Sequence, residues 1–246
     1  MGHQPSINPN QLFEPAEART LLERGTRALD LDFTPIQFDQ FLTYLDLLLK
    51  WNRKINLTAL RTPEDIISRH FLDSLLLLPY LPETGRLLDL GSGAGFPGLP
   101  LKIARPGLSI DLVEATAKKA SFLKEAVRRL GLSGINVFPI FLGPDPLPNL
   151  PARPWEVFLS RGVNLDVVLK ALEGYWGPAQ RLLLMKGSDW REEIEKKDSF
   201  LKKQQVEVER TVLLENPLAA RQWVLVILRE ISPLNLGKQS YYHDST

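Results

Sequence analysis

The chain has 246 residues, 44% apolar and 24% charged, with 30 basic and 29 acidic side chains giving a net charge of +1. That length fits one sizeable domain with an extension, and the balanced charge means that any nucleic-acid binding needs a local basic patch. Cysteine is absent and His3, His70 and His243 lie far apart, which excludes disulfides, thiolate catalysis and the usual metal-ligand spacings.

No apolar run reaches membrane-span length, and no basic-then-apolar start marks export, so a cytoplasmic location is expected. Residues 1–13 carry little pattern and read as a flexible tail. Glu14 to Leu29 has apolar residues at helical spacing. Thr34-Pro35 reads as an N-cap followed by proline at the first helical position. The helix after it runs to about Trp51, with Phe38, Phe41, Leu42, Leu45, Leu48 and Leu49 as its buried stripe. Next comes Lys50-Trp51-Asn52-Arg53-Lys54-Ile55-Asn56-Leu57-Thr58, rich in amides, bases and an aromatic. It suits either a substrate-contacting loop or a helix end whose cations offset the dipole. Ile66 to Leu78 reads as a third helix. His70 and Asp73 share a face of it, either as a base with its orienting acid or as a structural pair. Residues 14–82 thus form an N-terminal helical extension.

Leu87-Leu88-Asp89-Leu90 is a short apolar run around one acid, stopped by Gly91-Ser92-Gly93-Ala94-Gly95-Phe96-Pro97-Gly98. This reads as a buried parallel strand ending in a glycine loop that opens a helix. Glycine there permits positive φ and lets a ligand approach the backbone. The Gly-x-Gly-x-Gly spacing differs from the Gly-x-Gly-x-x-Gly run of dinucleotide sites. It is the pattern of S-adenosylmethionine-dependent methyltransferases, although a glycine loop alone also suits a plain turn. Ser109 to Glu114 is a second strand, and Glu114 stands about 20 residues beyond the loop, where a ribose-binding acid is expected. A helix from Thr116 to Leu130 carries Lys118 and Lys119 on its solvent side. Ile135 to Phe141 is a third strand, followed by the stiff loop Gly143-Pro144-Asp145-Pro146, in which Asp145 is placed to accept from an adenine amino group. Trp155 to Ser160 and Leu182 to Met185 are a fourth and a fifth strand, ending at Arg161 and Lys186. Val163 to Leu172 and Trp190 to Lys203 are helices. Val206 to Leu214 and Gln222 to Leu228 form a closing antiparallel pair. Residues 231–246 read as a disordered tail.

The sum is a doubly wound, mostly parallel α/β sheet of seven strands with an N-terminal helical extension. Gly91 to Phe96, Glu114, Asp145, Arg161 and Lys186 all fall at or just after strand carboxyl ends, where such sheets bind ligands.

The sequence resembles the bacterial small-subunit ribosomal RNA methyltransferase G family, also called glucose-inhibited division protein B, from about residue 36 to 228. The resemblance rests on Lys50-Trp51-Asn52, Asn56-Leu57-Thr58, Arg69-His70 with Leu72-Asp73-Ser74, Asp89 to Gly98, Ser160-Arg161 and Lys186-Gly187. It implies a class I methyltransferase domain over residues 83–230 that moves a methyl group from S-adenosylmethionine to N7 of a guanine in small-subunit (16S) ribosomal RNA. The implied cofactor site comprises Gly91, Ser92, Gly93, Gly95, Phe96, Glu114, Pro144, Asp145 and Arg161. His70 and Lys186 are implied on the substrate side of the catalytic centre, and Asp73 is expected there to stabilise the cationic methylated guanine. Arg53, Lys54, Asn56, Arg69, Lys118 and Lys119 are expected to contact RNA. The expected partner is the RNA or the assembled small subunit; no metal, no membrane and a monomer are expected. The chain departs from the family pattern at Gly143-Pro144-Asp145, where an arginine is missing and the acid is shorter, at Gly162, and at Arg221-Gln222. A small-molecule methyltransferase, a nicotinamide oxidoreductase and a non-catalytic RNA-binding relative are the competing readings.

Overall fold

The computed structural model describes residues 13–143, 147, 150, 154–219 and 222–231. Helices α1 (Pro15–Ala28) and α2 (Pro35–Asn52) come first. Thr34 and Gln37 form a capping box at the start of α2, and Gln37 Nε2 also donates to the carbonyls of Ile103 and Ala104. The expected cap and proline therefore start the helix and tie it to the sheet-bearing part of the chain. The helix expected over 66–78 is composite. α3 (Pro63–Ile66) runs into a π-helical segment, Ile67–Leu72, then α4 (Asp73–Leu75) and a 3₁₀ turn, Leu78–Tyr80.

The alternating part follows: β1 (Gly85–Leu90), α5 (Gly98–Ala104), β2 (Leu108–Val113), α6 (Ala117–Arg129), β3 (Ile135–Phe138), β4 (Val157–Arg161), α7 (Leu165–Ala171), β5 (Arg181–Lys186), α8 (Trp190–Lys196), α9 (Asp198–Lys203), β6 (Val206–Glu215) and β7 (Gln222–Glu230). β3 stops short of the expected Phe141 because Pro139 has no N–H for the ladder. The helix expected over 190–203 is divided at Lys197, whose φ of −106 and ψ of 5 leave the helical range. The strand order is β3-β2-β1-β4-β5-β7-β6. β3, β2, β1, β4 and β5 are parallel, and β7 runs antiparallel to both β5 and β6.

Alternate residues along each strand feed two cores. Leu87, Ile110, Leu112, Leu159, Leu183 and Met185 face α1, α2, the π segment, α5 and α6. Leu88, Leu90, Phe158, Leu182 and Leu184 face α7 and α9. The order reverses between β2 and β4 on either side of β1, so the crevice above β1 is the ligand position of such a sheet.

Candidate active site

The glycine loop is drawn onto the end of β2. The N–H groups of Gly91 and Ser92 both donate to Val113 O at 2.9 Å. Gly91 has φ +74, and a Cβ there would stand 2.4 Å from Val163 Cγ2. Gly93 has φ +58 but open space around it, since a Cβ added there would find its nearest neighbour, Gly91 O, 3.9 Å away. Packing therefore demands glycine at 91, whereas at 93 only the backbone angle favours it. Glu114 is 6% exposed, and its carboxylate joins the parts. It accepts from Gly93 N at 2.9 Å through Oε2 and from Thr116 N at 2.8 Å through Oε1. A carboxylate has about four lone-pair sites, so it can accept a pair of hydroxyls besides.

Asp89 lies under the loop. It is fully buried, and Oδ2 accepts from Gly98 N at 3.0 Å, fixing the start of α5. Burial pushes its carboxyl up to about 7 against the opposing Gly98 hydrogen bond, and the Glu114 charge adds to the rise.

The N-terminal helices build the other wall. Tyr44, fully buried, donates its hydroxyl to Ala94 O in the glycine loop. Burial, and secondarily the Asp89 charge, raise its phenol well above the ordinary range, so it stays a donor. The His70 ring stacks on Phe96 at 4.3 Å between centroids and 19° between planes. Thr58 Oγ1 meets His70 Nε2 at 2.7 Å. Thr58 is itself held by Asn52, which accepts from the N–H groups of Leu57 and Thr58 and donates to the carbonyls of Thr58 and Leu60.

A second network anchors the π segment. A π turn shifts the hydrogen-bond register and leaves carbonyls needing other donors. Ser68 O receives Asn216 Nδ2 at 2.6 Å, and Arg69 O receives Arg161 Nη2 at 2.9 Å. Asp73 closes the network, accepting from Asn216 Nδ2 at 2.7 Å, Trp223 Nε1 at 2.7 Å and Arg161 Nη2 at 3.3 Å. Arg161 also lies over the Trp223 ring, 4.6 Å from its centroid.

The structure thus places Gly91, Ser92, Gly93, Gly95 and Phe96 in one loop drawn onto the end of β2 and tied to Glu114, with His70 on Phe96 and Arg161 beside the π segment. Two expectations are corrected. Asp73 has no exposed surface, so it cannot meet a guanine; its carboxylate serves the anchoring network. Lys186 shares the sheet face of Leu182 and Leu184, opposite the side on which Arg161 meets Asp73, and it pairs with Glu193 at 2.7 Å. Arg53, Lys54, Asn56 and Lys118 are exposed and Lys119 is half-buried, whereas Arg69 pairs with Asp65 at 3.6 Å. Pro144 and Asp145 lie outside the described residues. Sequence reasoning misses Tyr44, Asn216 and Trp223; Tyr44 alone carries a signal, lying three residues after Phe41 on α2.

The family described as rRNA small subunit methyltransferase G matches residues 37–224. A ribosomal RNA small subunit methyltransferase G from Desulfotalea psychrophila is 38% identical over 210 residues, covering 85% of this chain and 96% of its own. The protein of the same name from Myxococcus xanthus is 47% identical over 168 residues, covering 68% and 76%. Among solved structures, a SAM-dependent methyltransferase from Aquifex aeolicus superposes with a TM-score of 0.51 at 17% identity, covering 67% of this chain and 92% of that one, a likeness of fold.

Proposed function

Because the chain belongs to the rRNA small subunit methyltransferase G family, we propose that it methylates N7 of a guanine in small-subunit ribosomal RNA, using S-adenosylmethionine. The observation that carries this reading is the match over residues 37–224, which spans both the glycine loop and the Asn52 to Asp73 wall facing it.

The residues present suit the cofactor. The Glu114 carboxylate is positioned to accept the ribose hydroxyls, and Gly93 lets the ligand come close to the backbone. Phe96, braced by His70, supplies a flat apolar wall. When bound, S-adenosylmethionine supplies a methyl group already activated on a cationic sulfur. Guanine N7 carries a free lone pair at neutral pH, so the transfer needs no general base. The task left to the chain is alignment and exclusion of water. In this reading His70 acts as a wall and a positioning group, held by Thr58 and Phe96, rather than as a base. Arg161 bridges the π segment and the end of β4, fixing the two sides of the crevice relative to each other. Arg53, Lys54, Asn56 and Lys118, together with the half-buried Lys119, can meet the RNA backbone. The protein acts as a cytoplasmic monomer on the RNA or the assembled subunit.

Calorimetric titration with S-adenosylmethionine, with NAD in a parallel cell, tests the site. Saturable binding of the first alone is expected. Binding of NAD instead would replace the reading with an oxidoreductase.

A further inference from the structure

The loop that supports Thr58 also bounds a cavity of about 230 Å³, lined by Leu49, Asn52, Arg53 and Arg61. A cavity of this size accommodates a phosphate group with its water. The stretch from Lys50 to Thr62 contains four cations, Lys50, Arg53, Lys54 and Arg61, and no carboxylate. Lys50 is committed to Asp46 at 2.6 Å. Among the described residues, neither Arg53 nor Arg61 forms a salt bridge.

Arg61 is pre-organised. Its Nη1 donates to Asn52 O at 2.9 Å and its Nη2 to Asn56 Oδ1 at 3.4 Å. A guanidinium has five N–H donors in a planar fork, so these two contacts orient it and leave donors to spare. Capping the last carbonyl of α2 accounts for one of those contacts. It does not account for a second arginine on the same cavity, nor for the lack of any acid in the surrounding stretch.

We propose that the Arg53–Arg61 cavity is a phosphate subsite that takes one backbone phosphate of the RNA substrate; the inference rests on the function proposed above. Asn52 gives the subsite its purpose. This one buried side chain fixes Leu57, Thr58 and Leu60, while its own carbonyl receives Arg61. Thr58 in turn meets His70, which braces Phe96. A phosphate held between Arg53 and Arg61 is therefore fixed to the same rigid loop that supports one wall of the crevice. The subsite sets the register of the RNA strand relative to the methyl-transfer position, because the Arg61 fork, although exposed, is held in place by Asn52 and Asn56.

The test is filter binding of protein-free small-subunit ribosomal RNA at potassium chloride concentrations from about 50 to 200 mM. Arg53→Ala and Arg61→Ala are each expected to weaken binding about tenfold at the low end. Each should also flatten the slope of log K against log salt by about 0.7, the loss of one single-strand phosphate contact. Arg61→Lys should recover the slope, because the charge returns, but not the full affinity, because the fork does not. Arg53→Ala leaves the α2 cap intact and should keep the wild-type melting temperature, so a folding defect in Arg61→Ala cannot hide the result. Unchanged slopes in both alanine variants would overturn the proposal. So would a lower melting temperature of Arg61→Ala with normal RNA binding by both variants, which would leave Arg61 as a helix cap alone. Wild-type protein that shows no salt-dependent RNA binding would instead bring down the functional reading beneath it. Inorganic phosphate added as competitor should displace the RNA from wild type more readily than from Arg53→Ala; equal displacement would count against the cavity as the phosphate's seat.

Discussion

Asp73→Asn separates a structural carboxylate from a chemical one. The substitution keeps the shape of the side chain but removes the charge facing Arg161, whose side chain is only 11% exposed. It also turns one of the oxygens that accept from Asn216, Trp223 and Arg161 into a donor. Breaking a buried ion pair by deleting one partner costs about 3–5 kcal/mol. At about 2–4 °C per kcal/mol for a chain of this size, the melting temperature should fall by about 6–20 °C. Urea unfolding gives the free energy directly, and an unchanged m-value would show that the unfolded state is not the cause. A loss below about 1 kcal/mol, accompanied by a collapse of methyl transfer, would return Asp73 to the chemistry.

The two loop glycines should behave differently on substitution by alanine. Gly91→Ala meets Val163 and should destabilise the fold by about 1–3 kcal/mol, whereas Gly93→Ala has room, should cost about 1 kcal/mol in backbone strain, and should weaken cofactor binding at least about tenfold by calorimetry. Unchanged cofactor affinity in Gly93→Ala would contradict the assignment of Gly93 to the ligand. Glu114→Gln keeps an acceptor for only one of Gly93 N and Thr116 N, turns the other oxygen into a donor and removes the charge, so cofactor Kd should rise at least about tenfold by calorimetry while stability falls by about 1–3 kcal/mol. The Asp89 carboxyl, pushed up to about 7 in the fold from an ordinary value of 3.8, binds its proton more tightly folded than unfolded. Its contribution is therefore present at low pH and lost as pH rises through that interval, and Asp89→Asn should flatten this part of the stability profile in denaturation series run from about pH 4 to 8. A wild-type profile in which stability rises steadily over that interval, unchanged in the variant, would contradict it.

The sheet and its glycine loop are legible in the sequence because their causes are local. A short apolar run, an abrupt glycine stop and an acid one strand later are all short-range patterns, and they put Gly91 and Glu114 where the structure has them. Asp73 is not legible in the same way. Two of its partners, Asn216 and Trp223, stand 143 and 150 residues away in sequence, and no local pattern announces them. The spacing of His70 and Asp73 suggests one face of an α-helix, but the π segment changes the register there, and His70 turns to Thr58 and Phe96. Lys186 stands at the expected strand end, yet strand parity sends its side chain to the face that carries Glu193. Asn52 shows the opposite case. The Lys50 to Thr58 stretch, expected as a contact surface, is in part an internal brace, and the exposed bases around it are what remain for a ligand.

Methyl transfer itself is the most direct test of the proposed function. Purified protein is incubated with methyl-labelled S-adenosylmethionine and small ribosomal subunits, or their protein-free RNA, that lack the modification, and the RNA is digested and analysed for modified nucleosides. Label is expected in N7-methylguanosine, in the small-subunit RNA, and at one position. Label in a different nucleoside, or none at all from protein that binds the cofactor, would contradict it.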